Sequence, residues 1–214
     1  MSDGVVSVLL WLVYVLGWWQ LRHVAERLGR PALRIGWWGA ALWCAVGIPS
    51  ALQFVRPVLL DVGARDPEAI RDGQWWRLVT SMFLQDGGVA GTVFNLVTLG
   101  LTVVLVAAVV RPWLLPVVFV AGGVACNIVT VLTFGQSGAG NSMATLVLLV
   151  STAVWSGSRR AGADVVRLLL IAAAAVALLG LRNQHGIAVG LGLAAGLLGT
   201  RVVEPMRSRR RAGR

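Results

Sequence analysis

Residues 89–110, VAGTVFNLVTLGLTVVLVAAVV, decide the class of fold because they form a run of 22 residues without one charged side chain. About 20 consecutive apolar residues are enough for a helix to cross the hydrocarbon core of a bilayer. Similar runs recur along the chain, in which 57% of the 214 residues are hydrophobic and only 13% are charged. This composition excludes an ordinary water-soluble globular domain and predicts an all-α, polytopic membrane helix bundle.

Working outward from this run, we predict seven membrane spans and three segments of the chain. The first span is short and rich in tryptophan, so it either crosses the bilayer or lies in the interface. We divide the chain into an N-terminal extra helix with its linker (1–34), a membrane domain (35–203) and a basic tail (204–214). The spans are expected at about 4–21, 35–55, 89–110, 112–134, 139–156, 165–181 and 185–203.

The basic residues predict the orientation of the chain. All 19 are arginine, against nine acidic residues, and the net charge is +10. Most flank the apolar runs, which is typical of a topology signal and argues against a nucleic-acid partner. With a cytoplasmic C-terminus, 14 arginines lie inside and five outside. We therefore expect a multi-pass membrane protein with its C-terminus in the cytoplasm and its tail near anionic lipid. The arginine-only, Ala/Gly/Val-rich composition favours a bacterial plasma membrane.

Five polar residues in or at the start of apolar spans need a reason, because their burial there is costly, namely Asn95, Asn127, Ser137, Asn141 and His185. In the predicted orientation, Asn95, Ser137, Asn141 and His185 share about the same depth near the outer surface, on three separate spans. A serine becomes a nucleophile when a base removes its proton, and an oxyanion needs donors such as an amide. The four residues therefore indicate a Ser-His dyad, with hydrogen bonding between helices as the simpler alternative.

Taken in order, several motifs resemble the rhomboid family of intramembrane serine proteases, over residues 35–203. The resemblance rests on Trp76-Arg77 in GQWWRLVTSMF, Asn95 in VFNLVTLG, Gly135-Gln136-Ser137-Gly138, and His185 followed by Ala188 and Gly192. It implies a six-helix core formed by the second to seventh spans, with the first span as an addition.

The resemblance also implies roles for individual residues. Ser137 would be the nucleophile and His185 the general base, with Asn95, the Ser137 backbone N–H and Gly138 stabilising the oxyanion. Transmembrane segments of other proteins in the bilayer would be cleaved near the outer surface, without a cofactor or metal. Residues expected to pack helices or anchor the long loop are Gly135, Ala188, Gly192, Gly196, Trp76 and Arg77.

The chain departs from the family pattern at three positions. Gly91 stands four residues before Asn95, and Gln85 stands in the loop, where the family commonly has histidines; Asn141 stands four residues after Ser137, where an aromatic residue is common. Losing one oxyanion donor costs about 2.7–4 kcal/mol unless a group such as Gln136 or Asn141 substitutes. The departures leave open an inactive rhomboid-like protein that binds transmembrane segments as a chaperone or adaptor.

Overall fold

The computed structural model describes residues 2–30, 35–157 and 162–199, and in these ranges every regular element is a helix. The predicted basic tail, 204–214, lies outside the described residues. The helices, in chain order, are α1 (Ser2–Arg27), α2 (Trp37–Leu52), α3 (Val58–Gly63), α4 (Pro67–Arg71), α5 (Arg77–Thr80), a 3₁₀ turn (Ser81–Phe83), α6 (Gly88–Ala107), α7 (Leu114–Thr133), α8 (Ser142–Gly157), α9 (Ala163–Gly180) and α10 (Gln184–Gly199).

Each of the seven predicted spans overlaps a long helix in the described ranges. Three of these are long and apolar enough to cross a membrane, namely Gly4–Arg27 within α1, α6 and α7. Helices α2, α8 and α10 are apolar but have 16 residues each, or about 24 Å at 1.5 Å per residue. The architecture is compatible with a helical membrane bundle.

The outer surface of the bundle is strongly apolar, as a lipid environment requires. Large side chains such as Leu132, Val176 and Leu198 are 78%, 70% and 68% exposed. In water such a surface would be an aggregation liability, whereas in hydrocarbon it is matched to its solvent.

Helix α8 lies at the centre of the bundle. Residues 143–154 are all buried, and the helix packs against α1, α6, α7 and α10. An apolar surface all round a helix is typical of a fully buried position. Glycines bring α10 close, because a Cβ on Gly192 would lie 2.9 Å from the Cβ of Val150, and one on Gly196 2.9 Å from the carbonyl oxygen of Ser151.

Helix α1 is part of this bundle. It packs along α8 and α9 and also contacts α6. Gly17 sits at the crossing with α8, where a Cβ would meet the Leu149 side chain at 2.8 Å. Near its C-terminal end, Arg27 Nη2 forms a 3.1 Å ion pair with Asp164 Oδ2 at the start of α9. The helix is therefore packed within the bundle along its length instead of lying apart from it.

Candidate active site

A cavity of about 230 Å³ lies at the end of the bundle where α6, α8 and α10 begin, hereafter the cavity end. Its walls come from α1, the loop before α6, and helices α6, α7, α8 and α10. The polar side chains on these walls are Arg65, Ser81, Asp86, Asn95, Asn127, Ser142, Gln184 and His185, with Tyr14 from α1.

The central feature of the cavity is a contact between a serine and a histidine. Ser142 Oγ lies 2.9 Å from His185 Nε2, and both residues are half-buried. Ser142 is the first residue of α8 and His185 the second residue of α10. The close packing of α10 on α8 at Gly192 and Gly196 brings the two helix starts together.

The tautomer of His185 follows from its other contacts. Asn183 precedes α10 and caps it, because its Oδ1 accepts a hydrogen bond from the His185 backbone N–H at 3.0 Å. A backbone N–H can only donate, so the amide atom at this point is the oxygen. The same Oδ1 lies 2.8 Å from His185 Nδ1, which must therefore carry the proton. Nε2 is then left with a lone pair directed at Ser142 Oγ, as a general base requires.

The structure pairs His185 with Ser142 and not with Ser137, the serine selected from the sequence. Ser137 is exposed, in the non-helical connection between α7 and α8. The span was expected to begin at residue 139, but α8 begins only at Ser142. The connection is fixed in this path by a β-bridge between Arg65 and Gly138. The shorter motif Gly140-Asn141-Ser142 therefore carries the serine that faces the histidine.

Three residues of the Gly135–Gly138 motif have other roles than those predicted. The Gly138 N–H donates to the Arg65 carbonyl oxygen at 3.0 Å, so it is not free for an oxyanion. Gln136 is exposed, and its carbonyl oxygen accepts from Arg65 Nε at 2.9 Å. Gly135 does not pack helices: its φ of +61° ends α7 in the left-handed conformation, and a Cβ there would meet nothing within 4 Å.

Asn95, which the resemblance gives as an oxyanion donor, lines the cavity. Its Nδ2 donates one hydrogen bond to Gln85 Oε1 at 2.6 Å, and an amide nitrogen has a second hydrogen to give. A Cβ built on Gly140 would lie 3.4 Å from this Nδ2 and 3.8 Å from Ser142 Oγ. The amide and the hydroxyl thus border the same small space. The first turn of α8 adds backbone N–H groups without partners inside the helix.

Asn141, considered as a substitute donor, instead supports the site from beneath. It is fully buried, and its Nδ2 donates to the Asn95 carbonyl oxygen at 3.2 Å and to Thr145 Oγ1 at 3.0 Å. Its Oδ1 accepts from Gln85 Nε2 at 2.7 Å. Asn141 and Gln85 therefore fix the position of Asn95 through their hydrogen bonds. If Ser142 is the nucleophile, the residue four positions after it is Leu146, which is not aromatic either.

Sequence reasoning missed Arg65, which is 2% exposed beside the dyad. Its guanidinium donates to neutral acceptors, namely the Gln136 carbonyl oxygen at 2.9 Å, Asn127 Oδ1 at 2.6 Å and Gln184 Oε1. Desolvation lowers the pKa of Arg65, while the nearby charge of Asp86 acts in the opposite direction. The only sequence signal was an arginine within a loop of mixed polarity, which gave no indication of its burial.

Arg77, which we expected to anchor the long loop, is buried within that loop. Arg77 is 8% exposed and donates to Gln74 Oε1 at 2.8 Å and to the carbonyl oxygens of Asp61 and Ala64 at 3.0 and 2.8 Å. Trp76 is 52% exposed, and its Nε1 donates to the Val62 carbonyl oxygen at 3.2 Å. The guanidinium therefore ties α3 to α5 within the loop, whereas a residue anchored at the lipid headgroups would reach outward.

The arrangement provides a nucleophile, a base with its lone pair directed at that nucleophile, and an amide donor beside both. These are the kinds of group that acyl transfer requires. In the described ranges, no three His, Cys, Asp or Glu side chains come together as metal ligands. Comparison of the chain with protein-family models, with curated proteins and with solved structures found no match.

Proposed function

We propose that the protein is an intramembrane serine protease of the rhomboid type, with Ser142 as its nucleophile and His185 as its general base. The observation that supports this proposal is the 2.9 Å contact of Ser142 Oγ with His185 Nε2. The other ring nitrogen, Nδ1, is hydrogen-bonded to Asn183 Oδ1. The contact lies in a cavity of an apolar helix bundle, so the expected substrates are proteins of the same membrane.

The proposed reaction begins when Ser142 Oγ attacks a peptide carbonyl carbon and His185 Nε2 takes the hydroxyl proton. The oxyanion of the tetrahedral intermediate accepts hydrogen bonds from Asn95 Nδ2 and from N–H groups at the start of α8. His185 then gives its proton to the leaving amine, and the acyl group remains on Ser142. A water molecule, activated by the same imidazole, releases it.

In this proposal α2 and α6 to α10 form the six-helix core, and α1 is an addition. From the distribution of arginines and the positive-inside rule, we expect the cavity end at the outer surface of the membrane and the C-terminus in the cytoplasm. The arginine-only, Ala/Gly/Val-rich composition favours a bacterial plasma membrane. The scissile peptide bond must be extended before attack, because a carbonyl within an intact helix is engaged in a hydrogen bond. We therefore expect substrate segments with small, weakly helical residues near the outer surface.

The test is labelling of the purified, detergent-solubilised protein with a fluorophosphonate probe, which reacts with activated serines. We expect the parent to be labelled, and Ser142→Ala and His185→Ala to lose labelling. Ser137→Ala is the matched control and should label like the parent.

Labelling that depends on Ser137 and not on Ser142 would reject the assigned nucleophile. A folded parent that is not labelled would reject the protease and favour the alternative, an inactive protein that binds transmembrane segments. Gly91, which offers no side-chain donor before Asn95, would then be a mark of that inactivity.

A further inference from the structure

Arg65 is a buried cation on the wall of the cavity that holds Ser142 and His185. It lies in the connection between α3 and α4 and is 2% exposed. The guanidinium of an arginine stays charged in proteins. A charge removed from water is costly unless an opposite charge or a full set of hydrogen bonds compensates it. The groups that surround this charge therefore indicate the role of Arg65.

The protein supplies only neutral acceptors to the guanidinium. Nε donates to the Gln136 carbonyl oxygen at 2.9 Å, Nη1 to Asn127 Oδ1 at 2.6 Å and Nη2 to Gln184 Oε1. The ion pairs among the described residues all lie elsewhere, and Arg65 takes part in none of them. Because a guanidinium has five N–H groups, two of them have no acceptor within the described part of the chain.

The three hydrogen bonds hold the guanidinium in one position. Asn127 is 1% exposed, and its Nδ2 donates two further hydrogen bonds, at 2.8 and 3.0 Å, so its Oδ1 is left to accept from Arg65. Gln184 is the first residue of α10, directly before His185. The backbone of Arg65 is also fixed, by the two hydrogen bonds that it exchanges with Gly138. The cation is therefore preorganised next to the proposed general base.

Asp86 lies close to Arg65 but does not pair with it. Of the described residues that line the cavity, it is the only acidic one. Its Oδ2 accepts a hydrogen bond from the Ala139 N–H at 2.8 Å, and its side chain is exposed, so water and salt screen its charge. A Cβ built on Gly138 would lie 3.0 Å from Asp86 Oδ2 and 3.4 Å from Arg65 Nη2. The glycine therefore leaves space beside the guanidinium.

We propose that Arg65 binds a carboxylate of the substrate, on an aspartate or glutamate close to the scissile bond. This inference rests on the proposed function, because it assigns a specificity to the same cavity. A carboxylate matches the geometry of guanidinium N–H groups and supplies the negative charge that the neutral acceptors do not. Since Ser142 and Arg65 line one cavity and an extended chain advances about 3.3 Å per residue, we expect the acidic residue within about two positions of the cut bond.

The test is a set of paired reporters that the parent protein cleaves. Each reporter is a protein with a single membrane span and an Ala-Gly step near the outer end of that span. It carries Asp or Asn at one of the two positions on either side of the step. Asp and Asn have nearly the same shape, so the ratio of their kcat/KM values isolates the charge. At one position or more, we expect the Asp reporter to be cleaved about 10- to 100-fold faster, as for a hydrogen bond between charged groups.

Gln184→Glu should abolish this preference, because it gives Arg65 a carboxylate of its own in place of a neutral acceptor of the same shape. The added charge lies in the first turn of α10, where a negative charge is favourable, so the fold should be kept. Gln136→Glu is the matched control. It adds the same charge on an exposed side chain at the cavity end, where solvent screens it, and it should keep the preference for Asp.

Two substitutions of the arginine itself distinguish recognition from a structural role. Arg65→Gln removes the charge, whereas Arg65→Lys keeps the charge without the planar guanidinium. A general loss of activity cancels from the ratio of two reporters, so a purely structural role predicts an unchanged ratio. We expect the preference for Asp to be lost in Arg65→Gln and kept in part in Arg65→Lys.

The outcomes separate this inference from the proposed function. Equal cleavage of the Asp and Asn reporters at every position by the parent would overturn carboxylate recognition while leaving the dyad intact. A preference for Asp that survives in Gln184→Glu or in Arg65→Gln would also overturn it, because another group would then be responsible. A folded parent that is neither labelled by the fluorophosphonate nor able to cleave any reporter would reject the proposed function, and this inference with it.

Discussion

The role of Asn183 leads to the most specific prediction about the chemistry. Its Oδ1 accepts two hydrogen bonds, from the His185 backbone N–H at 3.0 Å and from His185 Nδ1 at 2.8 Å. The first caps α10, and the second selects the tautomer and, in the proposed reaction, stabilises the imidazolium formed during attack. Asn183→Ala and Asn183→Gly both remove these two hydrogen bonds. They differ in stability, because glycine, unlike alanine, is well tolerated at a helix N-cap.

The expected magnitudes follow from these two bonds. A hydrogen bond to a charged group contributes about 1.5–3 kcal/mol, which corresponds to about a 10- to 100-fold change in rate. Both variants should therefore lose about 10- to 100-fold in the rate of fluorophosphonate labelling and in the rate of cleavage of a reporter protein with a single membrane span. Stability should fall by about 1 kcal/mol in Asn183→Ala and by only a few tenths in Asn183→Gly. Asn183→Asp, which retains the oxygen that accepts both hydrogen bonds, should be labelled faster than Asn183→Ala or Asn183→Gly.

The assay is the time course of labelling beside the thermal unfolding of each variant in the same detergent. A merely structural role for Asn183 predicts that activity follows stability, so Asn183→Gly would behave like the parent. Parent-like labelling of Asn183→Gly would refute the argument that this amide orients His185.

Two further predictions concern the space in front of the serine and the loop. Gly140→Ala should lower activity about a hundredfold without loss of stability, because its methyl group makes ordinary contacts with Asn95 and Ser142 and fills the space that they border. Gly91→Ala, whose methyl group enters open space, is the control. Equal activities of the two variants would contradict the predicted oxyanion position. Arg77→Ala should lower the free energy of unfolding by about 2–4 kcal/mol through the carbonyl groups left unpaired, as measured by denaturant titration, whereas the exposed Arg71→Ala should stay within about 0.5 kcal/mol; equal losses would reject the internal anchor.

The helices were predictable because each apolar run is long enough to dictate its own structure. The predicted span 89–110 became α6, and 112–134 became α7, with boundaries displaced by only a few residues. The order and spacing of the runs also indicated that His185 begins the last helix. Side-chain contacts between the elements, such as the Arg27–Asp164 ion pair that ties α1 to α9, depend on tertiary packing and had no local signal.

The serine was not predictable from its motif because the motif does not determine where α8 begins. Both Gly135-Gln136-Ser137 and Gly140-Asn141-Ser142 offer a serine two residues after a glycine. The bridge from Gly138 to Arg65 keeps the first in the connecting segment, and this bridge depends on a residue far away in the sequence. A usable signal lay downstream, where a mainly apolar segment, interrupted early only by Thr145, begins directly after Ser142.

The location of Ser142 at a helix start is what would allow a buried bundle to carry out the proposed hydrolysis. A serine in the middle of α8 would be enclosed by apolar side chains and would tend to bond to a carbonyl of its own helix, as Thr152 Oγ1 does with the Leu148 carbonyl oxygen at 2.8 Å. At the first residue of α8, the hydroxyl faces a cavity, and the neighbouring N–H groups have no partner within the helix. Asn183 has a comparable effect on His185, because its one amide oxygen caps the start of α10 and also orients the imidazole ring. Starting two tightly packed helices at the same level therefore brings together the groups that the proposed reaction needs, a nucleophile, an oriented base and oxyanion donors, without placing a buried carboxylate beside the histidine.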